Sequence, residues 1–95
     1  MPQTLQITVD SVVINYRYQE VPGTIPMLLI HGQGGEYGGL EKLADQLDCT
    51  TLIIDIPGFG GSGNLERYQI ADFTAVFKHF IGVLDLKEYN LLGHS

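Results

Sequence analysis

Tyr89-Asn90-Leu91-Leu92-Gly93-His94-Ser95 places an apolar pair directly before a glycine, a histidine and a serine. A short apolar run of this kind reads as a buried strand that delivers a serine to its carboxyl end, where open parallel sheets hold their ligands. Two earlier stretches share the pattern. Met27 to Ile30 and Leu52 to Ile56 are continuous apolar runs, and a glycine-rich loop follows each. Uninterrupted hydrophobicity over such short runs suits parallel strands covered on both faces.

Between the runs the period becomes helical. Tyr37, Leu40, Leu43, Ala44 and Leu47 recur at three- and four-residue steps opposite Glu41, Lys42 and Asp45. Ile70, Phe73, Phe77, Phe80, Ile81 and Leu84 do so more strongly, in a helix expected to start at Gln69 with Asp72 in the acidic position of a capping box. Ahead of this unit Leu5, Ile7 and Val9 alternate with Thr4, Gln6 and Thr8, and Val12, Ile14, Tyr16 and Tyr18 alternate with Val13, Asn15 and Arg17. Asp10-Ser11 between them predicts a tight antiparallel hairpin, and Pro22-Gly23 a type II turn that ends the ribbon. The fold class is therefore α/β: an antiparallel hairpin, then β-α-β-α-β with parallel strands and right-handed crossovers. No repeat, low-complexity tract or linker divides residues 1–95, which read as part of a single domain.

Composition narrows the function. A chain of 95 residues, 44% hydrophobic and with a formal charge of −6, fits a globular segment of at most one domain. Its five basic residues are scattered, so nothing is offered to neutralise phosphates and no nucleic-acid partner is expected. No run approaches the roughly 18 apolar residues of a membrane span. The start Met1-Pro2-Gln3-Thr4 has no charged stretch with an apolar one behind it. The expectation is a cytoplasmic protein without a membrane partner. Cys49, the single cysteine, forms no internal disulfide, has no cysteine or histidine at metal-ligand spacing, and reads as a small core residue.

The two glycine-rich loops are His31-Gly32-Gln33-Gly34-Gly35 and Asp55-Ile56-Pro57-Gly58-Phe59-Gly60-Gly61-Ser62-Gly63. Glycines at strand ends let backbone N–H groups face a phosphate or a developing oxyanion at close range. Gly58 to Gly63 matches G-x-G-x-x-G, which makes a dinucleotide-binding module an alternative. In such a site the helix opens on the glycines and an acidic residue ends the next strand. Here the helix begins near Gln69 and the next strand ends in Gly93-His94-Ser95, so neither condition holds.

Taken in order, "LLIHGQGG", "LIIDIPGFGGSG" and "YNLLGHS" make the chain resemble the amino-terminal part of an α/β-hydrolase of the serine hydrolase branch. Gly93-His94-Ser95 is the first half of a G-x-S-x-G nucleophile elbow, where the serine sits on a strained strand-to-helix turn. The flanking glycines are explained there by the collision that side chains would make with neighbouring backbone. The resemblance implies Ser95 as nucleophile and the backbone N–H of Gln33 as one oxyanion donor, the residue after the serine being the other. It implies a supporting role for His31, Gly32, Gly34, Gly93 and His94. Asp55 through Ser62 resembles the family's Asp-x-Pro-Gly-x-Gly-x-Ser loop with a further glycine in it, and Asp55 is expected to fix that loop by accepting from backbone amides. His79 reads as a surface residue.

The resemblance also implies a larger sheet, of which this chain supplies the first five strands, so the domain is expected to be truncated with its carboxyl-terminal part absent. The triad histidine and acid follow the serine in this family and are not in this chain, and the cap that shapes the substrate pockets comes later still. The implied reaction is attack on the ester, thioester or amide carbonyl of a small-molecule acyl substrate, with an acyl-enzyme that water hydrolyses and no metal or organic cofactor. The serine separates the chain from branches that use aspartate there, such as haloalkane dehalogenases. The 95 residues alone are expected to be inactive, and the competing reading is a truncated, non-catalytic product that acts by association with another chain. The sequence leaves the oligomeric state undecided.

Overall fold

The structure, a computed structural model, describes residues 3–31, 40–57, 61–65 and 70–93. The two alternating runs form β1 (Gln3–Val9) and β2 (Val12–Gln19), paired antiparallel with Val9 opposite Val12. Asp10 and Ser11 both take positive φ, 51° and 65°. This is the mirror-image turn, whose twist matches that of two right-twisted strands. Beyond β2, Gly23 has φ 78° behind Pro22, as a type II turn requires. Thr24 Oγ1 closes that turn by donating to the Val21 carbonyl at 2.6 Å, and Val21 N–H donates to Thr50 Oγ1 at 2.9 Å.

The three apolar runs become β3 (Met27–Ile30), β4 (Thr51–Ile54) and β5 (Asn90–Gly93). The sheet order is β1-β2-β4-β3-β5. β3 pairs in parallel with β4 on one side and β5 on the other, while β2 joins β4 antiparallel. The chain thus leaves β3 for β4 and then crosses back over β3 to reach β5. Helices α1 (Glu41–Asp45) and α2 (Ile70–Val83) lie on these two crossings. On one face of the sheet Ile14, Tyr16, Leu28 and Ile54 pack with Val76 and Phe80 of α2. On the other, Leu29 and Ile53 pack with Leu40 and Ala44. The Phe80 ring meets Tyr16 edge-on with centroids 5.2 Å apart, which aromatic quadrupoles favour by about 1 kcal/mol. α2 closes in a Schellman motif, with Leu86 N–H donating to Ile81 O, Asp85 N–H to Gly82 O, and Asp85 at φ 56°.

Two helical expectations change. The apolar positions from Tyr37 to Leu47 predict a longer helix than α1, which spans five residues. Leu43 is exposed because Leu40 and Ala44 fill the contact that so short a helix makes with the sheet. Val76, left out of the expected stripe of α2, is more deeply buried than Phe77. It stands four residues before Phe80 and therefore on the same helix face. Tyr37 and the expected helix start at Gln69 lie outside the described residues. No helix of the described residues is long and apolar enough to cross a membrane.

Candidate active site

The carboxyl ends of β4, β3 and β5 make one row, because the registers set Ile54 beside Ile30 and Ile30 beside Gly93. The chain leaves β3 toward β4 and enters β5 from the opposite side, so β3 and β5 flank a topological switch point. In open α/β sheets the crevice at such a point is where ligands bind. In the sequence Ile30 leads into His31-Gly32-Gln33 and Gly93 into His94-Ser95. Of the nucleophile, oxyanion-donor and supporting residues that the resemblance implies, His31 and Gly93 fall among the described ones. Gly32, Gln33, Gly34, His94 and Ser95 lie outside them.

The described part of the site is a buried polar brace. Asp55 follows β4 and is 2% exposed, so its carboxylate has to be hydrogen-bonded by the protein. Its Oδ2 accepts from Asn15 Nδ2 at 2.9 Å and from the Gly61 N–H at 2.9 Å. Its backbone takes part as well: Asp55 N–H donates to the Asn15 carbonyl, and the Asp55 carbonyl accepts from Ser62 Oγ at 2.6 Å. Ser62 Oγ in turn accepts the Asn15 N–H at 2.9 Å. Asp55, Gly61 and Ser62 are thereby laced back onto β2, and Asp55 does the loop fixing expected of it.

His31 is held by the same loop. Its Nε2 accepts the Ile56 N–H at 3.1 Å, which places the ring proton of the neutral form on Nδ1. Asp55 Oδ1 lies 3.8 Å from that Nε2, beyond hydrogen-bond reach. A general base needs a free lone pair, and the Nε2 pair is engaged with the backbone. The arrangement couples the end of β3 to the start of the loop after β4. On the same side of β2, Arg17, 6% exposed, donates from Nη2 to Asp45 Oδ1 at 2.6 Å and so ties α1 to the sheet.

A Cβ on Gly93 meets nothing within 4 Å among the described residues, and the residues of the elbow that follow it lie outside them. Gly61 has a steric cause within them: its Cβ would lie 2.8 Å from Asn15 Cγ and 2.9 Å from Nδ2. Asn15 itself was missed. Its alternation with Ile14 and Tyr16 marks it as facing away from their core, and only the covering loop makes that face buried. His79 is exposed, as expected, and its Nδ1 contacts Asp10 Oδ2 of the hairpin turn.

Comparison with known proteins bears on this arrangement. The family described as alpha/beta hydrolase fold matches residues 25–95. Among curated proteins, the 2-succinyl-6-hydroxy-2,4-cyclohexadiene-1-carboxylate synthase of Salmonella newport (strain SL254) is 28% identical over 75 residues, and that of Citrobacter koseri 27%. The match covers 78% of this chain and 30% of each relative, so the chain spans under a third of their length. Among solved structures, a bacterial membrane phospholipase A superposes with a TM-score of 0.91 at 23% identity, covering 99% of this chain and 32% of that one. The Cif epoxide hydrolase from Acinetobacter nosocomialis gives 0.88 at 22%, covering 99% and 30%. An alpha/beta hydrolase fold protein from Chitinophaga pinensis gives 0.87 at 26%, covering 100% and 36%.

Proposed function

The chain belongs to the α/β-hydrolase fold family, and on that premise we propose that the protein carrying it is a serine hydrolase with Ser95 as its nucleophile. The supporting observation is the row Ile54, Ile30, Gly93 at a sheet switch point, with a serine two residues beyond its last member. In this reading residues 1–95 form part of one domain that continues beyond them and supplies the base and the orienting acid. Ser95 Oγ attacks the carbonyl carbon of an ester, thioester or amide as its proton passes to that base. The Gln33 N–H and the N–H of the residue after Ser95 stabilise the resulting oxyanion. The leaving group departs with the proton, and water then releases the acid from the acyl-serine. His31, Gly32, Gly34, Gly93 and His94 support the loops, and the Asn15–Asp55–Ser62 brace keeps the floor of the site rigid.

Kinetics of the full-length protein on activated acyl esters test this. Ser95→Ala should lower kcat by on the order of 10⁵ to 10⁶. Gln33→Ala should retain most of kcat because a backbone N–H survives loss of its side chain. Gln33→Pro, which has no N–H, should lose about 10² or more. Equal damage from Ala and Pro would refute the donor assignment.

A second reading draws on the curated relatives, which are named synthases of a cyclohexadiene carboxylate rather than hydrolases. There the same serine would serve a reaction that makes no acyl-enzyme. Absence of turnover on every ester, with the fold intact, would favour it.

A further inference from the structure

A cavity of about 330 Å³ opens at the end of the sheet opposite to the candidate active site. The position follows from topology. β2 runs antiparallel to β4, so Gln19 pairs with Thr51. The end of β2 therefore lies beside the amino ends of β3 and β4. Tyr16, Tyr18 and Glu20 are alternate residues of this strand and its extension, and all three line the cavity. Its apolar walls are Leu5 and Leu52 from the sheet and Leu84 and Leu86 from the segment after α2.

We propose that this cavity binds a small organic cation, an ammonium group on an apolar body. Three observations give the sign of the charge. Among the described lining residues Glu20 carries the only formal charge, and none of them is a lysine, arginine or histidine. α2 ends above the cavity at Val83 without a basic residue in its last turn, so no side-chain cation of the helix offsets the partial negative charge that remains at its carboxyl end. The tyrosines add ring faces that attract cations. Their phenol oxygens, engaged by no hydrogen bond among the described residues, can accept from an ammonium N–H. Burial first, and then Glu20, push the Tyr18 phenol up, and burial, and then Tyr18, push up Tyr16, so both stay neutral donors and acceptors at neutral pH. An anionic ligand would be repelled by the Glu20 carboxylate. The apolar walls take a ring or short chain, which a bare metal ion would leave facing water.

The test is a titration of the full-length protein, carrying isotope-labelled tyrosine, with benzylammonium chloride at neutral pH, read by nuclear magnetic resonance. Tyr16→Phe and Tyr18→Phe assign the two ring signals, and Glu20 is exposed, so Glu20→Gln leaves the core untouched. Both ring signals should shift along one saturable isotherm. Benzyl alcohol, of the same shape without the charge, should bind about five-fold more weakly. Glu20→Gln should weaken benzylammonium about three-fold and leave benzyl alcohol unchanged. Absence of a saturable shift would overturn the proposal. Equal binding of the two probes, insensitive to Glu20, would also overturn it, since the cavity would then be an apolar groove without charge selectivity.

Discussion

Gly61 shows how one missing side chain supports the candidate site. Its N–H donates to Asp55 Oδ2, and the space where a Cβ would go is taken by Asn15. Gly61→Ala must therefore displace either the loop or the Asn15 amide, and both routes leave the buried Asp55 carboxylate short of a donor. Overpacking together with the lost hydrogen bond should cost about 2 to 3 kcal/mol. Urea unfolding of the full-length protein should show this as a lower midpoint at unchanged slope. A change no larger than that of an ordinary surface replacement would mean that the brace yields easily. The residue-scale logic of the brace is only half written in the sequence. Asp55 and Ser62 stand in a recognisable loop, whereas Asn15 lies some 40 residues earlier in a strand where alternation alone suggests a solvent-facing polar position.

At the scale of elements, α2 is the piece that closes the larger core, and it holds one removable weakness. Gly82 sits inside the helix, exposed, with nothing within 4 Å of its Cβ position. Gly82→Ala restricts the unfolded chain without crowding the folded one and should stabilise the protein by about 0.5 to 1 kcal/mol. Thermal unfolding should register a higher Tm; a lower one would indicate that a further segment packs against that face. Most elements were legible because their signals are local. Asp10-Ser11 specified the hairpin, Pro22-Gly23 the turn, and the unbroken apolar runs the parallel strands. Strand order was not legible, since the pairing of β2 with β4 depends on contacts between residues far apart in sequence. The length of α1 was not legible either: apolar spacing at Leu40, Leu43, Ala44 and Leu47 does not tell which positions a short helix presses on the sheet.

For the molecule as a whole, β5 forms an edge of the five-stranded sheet, paired among the described residues only with β3, and Leu91 on it is 63% exposed. An apolar edge strand is a template for pairing with another chain. Residues 1–95 produced alone should therefore associate and show no Ser95-dependent ester turnover. Sedimentation of that segment is the check, and a monodisperse monomer that unfolds cooperatively would count against it. The central claim, that the serine following Gly93 and His94 is a nucleophile at a sheet switch point, has a more direct test. The full-length protein should be treated with an organophosphonate probe and the modified peptide located by mass spectrometry. The account predicts a single adduct on the peptide containing Ser95, absent from Ser95→Ala. An adduct on a different residue, or equal labelling of the Ser95→Ala variant, would contradict it.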